Sequence, residues 1–164
     1  MTRPFLFLLM LWPGSQALAC TLSPVQLHFS GPDIASIQYQ QGLRKDSEEP
    51  FIRAIVLYKD ADMAVVESRN CEMENYSVNY FSTSGKVDNS RLEPLLAPSP
   101  LHGIKLAKPL LGQLPTSPGI KDLSDDVSFA KGQVELLVSR QSLEDALTPY
   151  ASLVSISLAL GGAD

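Results

Sequence analysis

The chain lacks the short sequence motifs that mark many enzyme active sites. Its 164 residues contain no G-x-S-x-G nucleophile motif, no phosphate-binding P-loop and no dinucleotide-binding G-x-G-x-x-G. It has only two histidines, His28 and His102, and neither has a partner at the spacing of a metal site such as H-E-x-x-H. The acidic pairs at 48–49 and 125–126 are typical of solvated turns. We therefore expect no catalytic residue, no metal ligand and no cofactor.

An excess of positive charge and a membrane-length apolar run are also missing. The 13 Lys and Arg residues stand against 18 Asp and Glu residues, so the formal net charge is −5. A mildly acidic protein is a poor binder of nucleic acid and of anionic membrane surfaces. Beyond the N-terminal segment, no apolar stretch approaches the roughly 20 residues that a membrane-spanning helix needs. The composition thus argues against a nucleic-acid-binding protein and predicts no transmembrane segment in the mature chain.

The first residues have the features of a secretory signal. Arg3 supplies the positive charge, and residues 5–12 form an apolar run that is too short to span a bilayer. A proline–glycine break follows, and then the Ala-Leu-Ala sequence at 17–19 places small residues where a signal peptidase reads them. We predict a signal peptide over 1–19 and a single domain over 20–164, exported to the periplasm or the cell surface.

Only two cysteines are present, Cys20 and Cys71, and both remain after the predicted cleavage. An exported chain with an even number of cysteines usually pairs them, so we expect a Cys20–Cys71 disulfide. A redox role would favour a C-x-x-C pair, which the sequence does not have. Because Cys20 would be the first residue of the mature chain, lipidation of Cys20, as in bacterial lipoproteins, is an alternative.

Alternation of apolar and polar residues is the main structural signal. It is clearest in YASLVSISLAL, where Val154, Ile156, Leu158 and Leu160 alternate with small residues. Strands are also expected at 22–29, 51–58, 63–68, 76–82 and 133–139, with 51–58 and 63–68 forming a hairpin. Residues 34–39 fit either a strand or a loop. Short strands separated by turns in one exported domain predict an all-β fold, an antiparallel β-sandwich.

Proline sets the region 92–121 apart from the rest of the chain. Six prolines in this stretch argue against a long helix or a central strand. We expect a leucine-rich surface connection, with one short edge strand at 101–107. The best helical segment is 142–147, where Ser142 is an N-cap candidate and acidic residues follow in the first turn.

Three segments resemble subunits of bacterial fimbriae that are assembled by the chaperone–usher route, in particular the alpha-type fimbrial family. LSPVQLHF resembles the apolar first strand of such subunits, DDVSFAKGQVELLVS their penultimate strand region, and LTPYASLVSISLAL their closing pattern. The Cys20–Cys71 pair is similar to the single bridge of many pilins. The resemblance implies an immunoglobulin-like sandwich that lacks one strand, in an exported structural or adhesive subunit of a surface fimbria.

In such subunits a periplasmic chaperone first fills a groove beside the C-terminal strand, and the N-terminal arm of a neighbouring subunit fills it later. The resemblance therefore implies a partner-strand groove lined by Val154, Ile156, Leu158 and Leu160, with the chaperone, the usher and neighbouring subunits as partners. The alternative is a self-sufficient secreted or periplasmic β-sandwich domain that binds a ligand or another protein. In that case the four apolar residues face the domain's own core.

Overall fold

A computed structural model describes residues 23–71, 73–86, 89–99, 121–129, 132–143 and 147–160. These residues form seven β-strands and one short α-helix, so the prediction of an all-β fold is confirmed. The elements, in chain order, are β1 (Ile34–Leu43), β2 (Pro50–Tyr58), β3 (Met63–Asn70), β4 (Glu74–Ser82), α1 (Asn89–Leu96), β5 (Lys121–Phe129), β6 (Gly132–Ser142) and β7 (Ser152–Leu160).

All seven strands belong to one antiparallel sheet, in the order β1-β2-β3-β4-β7-β6-β5. The chain builds a four-stranded meander, crosses to the far edge of the sheet, and returns through β5 and β6 to place β7 beside β4. β1 and β5 are therefore the two outer strands, and β7 is an inner strand. A second sheet, which a sandwich requires, is not found among the described residues, and the immunoglobulin-like arrangement is not confirmed.

One face of the sheet is buried because apolar residues alternate along the inner strands. A single register row shows this well, since it crosses five neighbouring strands and every member is buried. The row consists of Ala54, Val66, Val78, Ile156 and Val138. Burying a branched apolar side chain of this kind is worth about 1.5–3 kcal/mol relative to leaving it in water. The sheet register therefore accounts for much of the core.

The buried face is covered by an extended segment and a helix instead of a second sheet. Residues 23–31 cross this face without joining a strand, and they contribute Leu27 and Phe29 to the core. Two polar contacts fix the segment to β3: the Val25 N–H donates to Ser68 Oγ at 2.8 Å, and Asn70 Nδ2 donates to the Ser23 carbonyl at 2.7 Å. The predicted strand at 22–29 is therefore wrong, although its apolar alternation correctly marked side chains of the core.

Helix α1 is the second cover, and it lies in the region where proline argued against a long helix. Leu92, Leu95 and Leu96 stand at helical spacing and are fully buried, which gives the helix an apolar face. Pro94 lies inside the helix and cannot donate a backbone hydrogen bond one turn back, but an eight-residue helix loses only that one bond. Tyr76 of β4 donates to the Leu95 carbonyl at 2.5 Å and ties α1 to the sheet.

The predicted strands at 51–58, 76–82, 133–139 and 150–160 match β2, β4, β6 and β7, and the predicted hairpin is formed by β2 and β3. Strand β5 was not predicted. The predicted helix at 142–147 does not begin at Ser142, which is the last residue of β6, and residues 144–146 lie outside the described residues. The edge strand predicted at 101–107 also lies outside them. Of the described helices, none is long and apolar enough to cross a membrane.

Candidate functional site

The residues predicted to line a partner-strand groove lie on β7, at the centre of the sheet. Val154, Ile156 and Leu158 are fully buried against the core, and Leu160 is half-buried at the end of the strand. Both edges of β7 are paired along its length, with β4 on one side and β6 on the other. The described residues therefore leave no open groove beside β7, because a strand added there would have to displace β4 or β6.

The two cysteines and the two histidines are placed only in part. Cys71 directly follows β3 and is not a free thiol, but Cys20 lies outside the described residues, and the Cys20–Cys71 disulfide stays a prediction. His28 lies in the extended segment that covers the core, whereas His102 is not among the described residues. Across the described part of the chain, no group of three or more His, Cys, Asp or Glu side chains could hold a metal ion.

The outer edge of β1 is the most open strand edge whose side chains the structure describes. No described strand pairs with it, and most of its side chains are exposed. Tyr39 is 48% exposed and Leu43 is 65% exposed. Over its ten residues, IASIQYQQGL, β1 carries no charge and no proline, the usual devices that block an edge from pairing with another chain. An irregularity in the β1–β2 register lies between Ile34 and Ser36, at the very start of the strand.

A groove runs along this edge on the buried side of the sheet. We call it the β1 groove, and it has a volume of about 450 Å³. Its lining residues are Gln26, Leu27, His28, Tyr39, Gln40, Gln41 and Ile52. It forms because the covering segment crosses the sheet at β1 without filling the space there, and the Phe29 N–H donates to the Tyr39 hydroxyl at 3.3 Å.

The lining of the β1 groove is largely polar. It contains no carboxylate, ammonium or guanidinium group. The Gln26 and Gln41 amides can each donate and accept hydrogen bonds, and Leu27 and Ile52 add apolar surface. Such a mixture suits the peptide groups and small side chains of an extended polypeptide, which need both donors and acceptors. It does not suit a strongly charged ligand.

A cluster of polar side chains lies near the start of β1, and its members hydrogen-bond to one another. The buried Asp62 carboxylate accepts hydrogen bonds from the Tyr80 hydroxyl at 2.6 Å, from the Thr83 N–H at 2.8 Å and from the Thr83 hydroxyl at 2.9 Å. Arg91 of α1 also donates to Asp62, at 3.2 Å. We call these four residues the Asp62 cluster. Burial raises the pKa of Tyr80 above its usual range, and the neighbouring Asp62 carboxylate raises it further.

The Asp62 cluster holds several elements together and so has a structural role. Arg91 also donates to Asp33 at 3.0 Å, just before β1, and its guanidinium lies 4.5 Å from the centre of the Tyr58 ring. It thereby joins α1, the β2–β3 turn and the start of β1. Ala61 in that turn has a φ of 69°, a strained value for a residue with a side chain, and the bonds made by the adjacent Asp62 stabilise the turn.

On the open face of the sheet, opposite the core, the charged side chains form ion pairs with one another. Arg53 donates to Glu67 at 2.8 Å, and Arg69 lies 3.3 Å from the same carboxylate. At the centre of this face the Ser155 hydroxyl donates to Asn79 Oδ1 at 2.7 Å. These charged and polar groups of the open face therefore already have partners within the chain.

Sequence reasoning missed the β1 edge because residues 34–39 fitted either a strand or a loop. A signal was nevertheless present: the ten residues between Asp33 and Arg44 that carry no charge and no proline. In comparisons with protein-family models, with curated proteins and with solved structures, the chain shows no significant match.

Proposed function

We propose that this protein is a self-contained exported β-domain that binds an extended segment of polypeptide as an additional strand on the outer edge of β1. The observation that carries the proposal is the contrast between β7, which is paired on both edges, and β1, which no described strand pairs on its outer side. Strand addition of this kind uses the unpaired backbone groups of an edge strand for affinity.

The second outer strand, β5, is a poorer acceptor by its sequence. Its nine residues, KDLSDDVSF, include Lys121 and three aspartates. Charges on an edge strand oppose the approach of another strand, because they would have to be desolvated or paired when the new ladder forms. β1 has no such charge, which favours it as the edge that accepts a strand.

The β1 groove supports the same function because strand addition also requires sites for side chains. In an added strand every second side chain lies on the buried side of the sheet, and the groove provides space and amide groups there. The uncharged lining favours a segment with small or neutral side chains at these positions. Specificity would come from these alternate side chains, and affinity from the backbone ladder.

A fimbrial subunit is the second candidate, and it now takes a different form. The resemblance in the sequence still favours export and donor-strand complementation, with a chaperone, an usher and neighbouring subunits as partners. The open edge of β1 favours acceptance of the donor strand there and not beside β7. A self-contained domain differs from a fimbrial subunit in that it folds without a chaperone, because the covering segment and α1 already close its core.

Hydrogen exchange with added peptides tests the proposed function. In the monomer, amides of β7 should exchange slowly and amides of the outer edge of β1 quickly, since only the former are in ladders on both sides. A panel of neutral ten-residue peptides with alternating apolar and polar residues serves as the probe. Peptides that bind should slow exchange in β1 and raise the melting temperature, because they bind the folded state alone.

A matched variant controls this experiment. Gln41→Pro removes a backbone N–H that points away from β2 in the register of the two strands and should weaken peptide binding. Ser157→Ala, on the open face of β7, should leave binding unchanged. Protection that appears in β6 and β7 upon peptide addition would favour the groove beside β7. An isolated chain that is insoluble without a chaperone would contradict the self-contained domain.

A further inference from the structure

We infer that the strand that β1 accepts is β1 of a second copy of this chain, so that the protein forms a two-fold symmetric dimer through this edge. The inference rests on the proposed function, and it names the partner. The centre of β1 reads Ile-Gln-Tyr-Gln-Gln, in which Gln38 and Gln40 flank Tyr39 symmetrically. A symmetric sequence at an open edge is complementary to itself when the second copy runs antiparallel.

The symmetry determines which residues meet. A two-fold axis perpendicular to the sheet keeps every side chain on its own face, so residues directly opposite each other must come from the same face. With the axis at Tyr39, the two Tyr39 residues are opposite each other, and Gln38 of one copy is opposite Gln40 of the other. Facing glutamine amides can hydrogen-bond across the strands, and facing aromatic rings stabilise a cross-strand pair.

The β1 groove fits this arrangement. Tyr39 pairs with Ala54 in the register of β1 and β2, and Ala54 belongs to the buried face of the sheet. The exposed ring of Tyr39 therefore lies on the side where Gln26 and His28 line the groove. In the dimer, Tyr39 of the second copy would enter the groove from the same side. This contact would bury two aromatic rings that are about half exposed in the single chain.

One pair of opposite charges meets at each end of the interface in the same orientation. Asp33 precedes the strand and Lys45 follows it, and the two-fold axis places Asp33 of one copy opposite Lys45 of the other. Arg44 is already paired with Asp46. Asp33 also binds Arg91, so this contact adds to bonds within each chain. Such charges sit at the rim of the contact, where they steer association and select the antiparallel orientation.

Dimerisation would also remove the uncharged edge from the surface. Two seven-stranded sheets joined through β1 form one continuous sheet whose outer strands are the two copies of β5. β5 carries four charged residues in its sequence, the kind of edge that resists further pairing. The assembly therefore closes at two copies. This accounts for an otherwise unexplained asymmetry, in which one outer strand is charged and the other is not.

Charge variants at Gln38 and Gln40 test the inference by sedimentation velocity on the full chain produced in an exporting host. The unaltered protein should be a dimer. The variant Gln38→Lys with Gln40→Lys places like charges opposite each other twice, and dimerisation should weaken by about tenfold or more. The variant Gln38→Glu with Gln40→Glu should behave in the same way, and a mixture of the two variants should form a heterodimer. Ser157→Lys is the control and should leave the dimer intact.

The peptide experiment is run in parallel, so that failure of the dimer and failure of the proposed function can be told apart. A monomeric protein whose β1 is protected by neutral peptides overturns the dimer and leaves the proposed function in place. A dimer that survives both charge variants pairs through another surface, which also overturns the inference. A monomer that no peptide protects overturns the dimer and the proposed function together.

Discussion

Strands β1 and β7 have similar sequence patterns but different positions in the sheet, since β1 is an outer strand and β7 an inner one. Both alternate apolar with small or polar residues, and neither contains a charged residue or a proline. β7 lies in the middle of the sheet, with Ile156 only 1% exposed and ladders on both sides. β1 is an outer strand whose side chains are mostly exposed. The same kind of strand therefore serves as part of the core in one place and as an open edge in the other.

The difference shows that an amphipathic strand becomes an open edge or an inner strand through its neighbours and not through its own pattern. β7 lies between β4 and β6, which pair with it along both edges. Among the described strands, β1 pairs only with β2. A charge at a core-facing position of β7 would have to be buried, whereas a charge at an exposed position of β1 would remain in water, and this contrast can be measured.

The largest effect is expected for Ile156→Asp. The carboxylate would be surrounded by Val78 and Val138 on the neighbouring strands, with no cationic partner on this row of the sheet. We expect a loss of more than about 4 kcal/mol in the free energy of unfolding, enough to unfold a domain of ordinary stability. Urea denaturation followed by circular dichroism measures it.

The matched change in β1 is Gln40→Asp, which introduces the same carboxylate at an exposed position. Its effect on the free energy of unfolding of the single chain should stay within about 0.5 kcal/mol. If Ile156→Asp left the isolated chain folded, the view of β7 as a closed inner strand would be wrong, and the groove predicted beside β7 would regain support.

An intermediate effect is expected in the Asp62 cluster, which connects the core to the start of β1. Asp62→Ala removes the acceptor for Tyr80, Thr83 and Arg91 at a site where the aspartate side chain is only 5% exposed. Leaving these donors without a partner should cost about 2–3 kcal/mol. Thermal unfolding monitored by circular dichroism measures the change.

Asp33→Ala is the control, because Asp33 shares Arg91 with Asp62 but its side chain is 45% exposed. An exposed ion pair is worth about 0–1 kcal/mol, so this variant should lose much less stability. Equal losses in the two variants would mean that Arg91, and not the burial of Asp62, carries the effect.

The smallest effect is a loss of stability in alkaline solution, which reports on the covered face and not on β1. Burial raises the pKa of Tyr76 and of Tyr80 above the ordinary value of 10.0. The folded state therefore holds these two protons more tightly than the unfolded state does. Their contribution is complete below about pH 10 and is lost as the pH rises through the raised folded values, by about 1 kcal/mol per tyrosine at about pH 10.5.

Urea denaturation at neutral and at alkaline pH measures this loss. The double variant Tyr76→Phe with Tyr80→Phe should show a smaller decrease between the two conditions, because phenylalanine does not titrate. An alkaline decrease that is the same in both proteins would place its origin in other groups.

Much of the fold could be predicted from local patterns, and the failures have physical causes. β4 and β7 were found because alternation is strong where one face of a strand is buried, and β2 was found from its β-branched and aromatic residues. The segment at 22–29 was predicted as a strand because Leu27 and Phe29 alternate with polar residues, but an extended segment that covers a core has the same alternation. α1 was missed because Pro94 argues against a long helix, whereas an eight-residue helix tolerates one proline.

The candidate site was less accessible to prediction than the fold. The groove beside β7 was predicted from the resemblance to fimbrial subunits, because alternation in β7 alone fits a core strand equally well. The β1 groove, in contrast, is composed of residues from three separate segments, 26–28, 39–41 and Ile52. No local pattern joins these segments, because their proximity depends on how the covering segment crosses the edge of the sheet.

The local sequence alone specifies which side chains of a strand share its apolar face. The alternation that places Val154, Ile156 and Leu158 on one face is a property of the chain itself. The sequence also determined that β1 carries no charge. The tertiary structure decided what faces each strand, because the order of strands depends on pairing between distant residues, such as Val78 with Ile156. Whether an uncharged strand is a core element or an open edge follows from that order, since backbone groups can be satisfied only by a neighbour that the fold supplies.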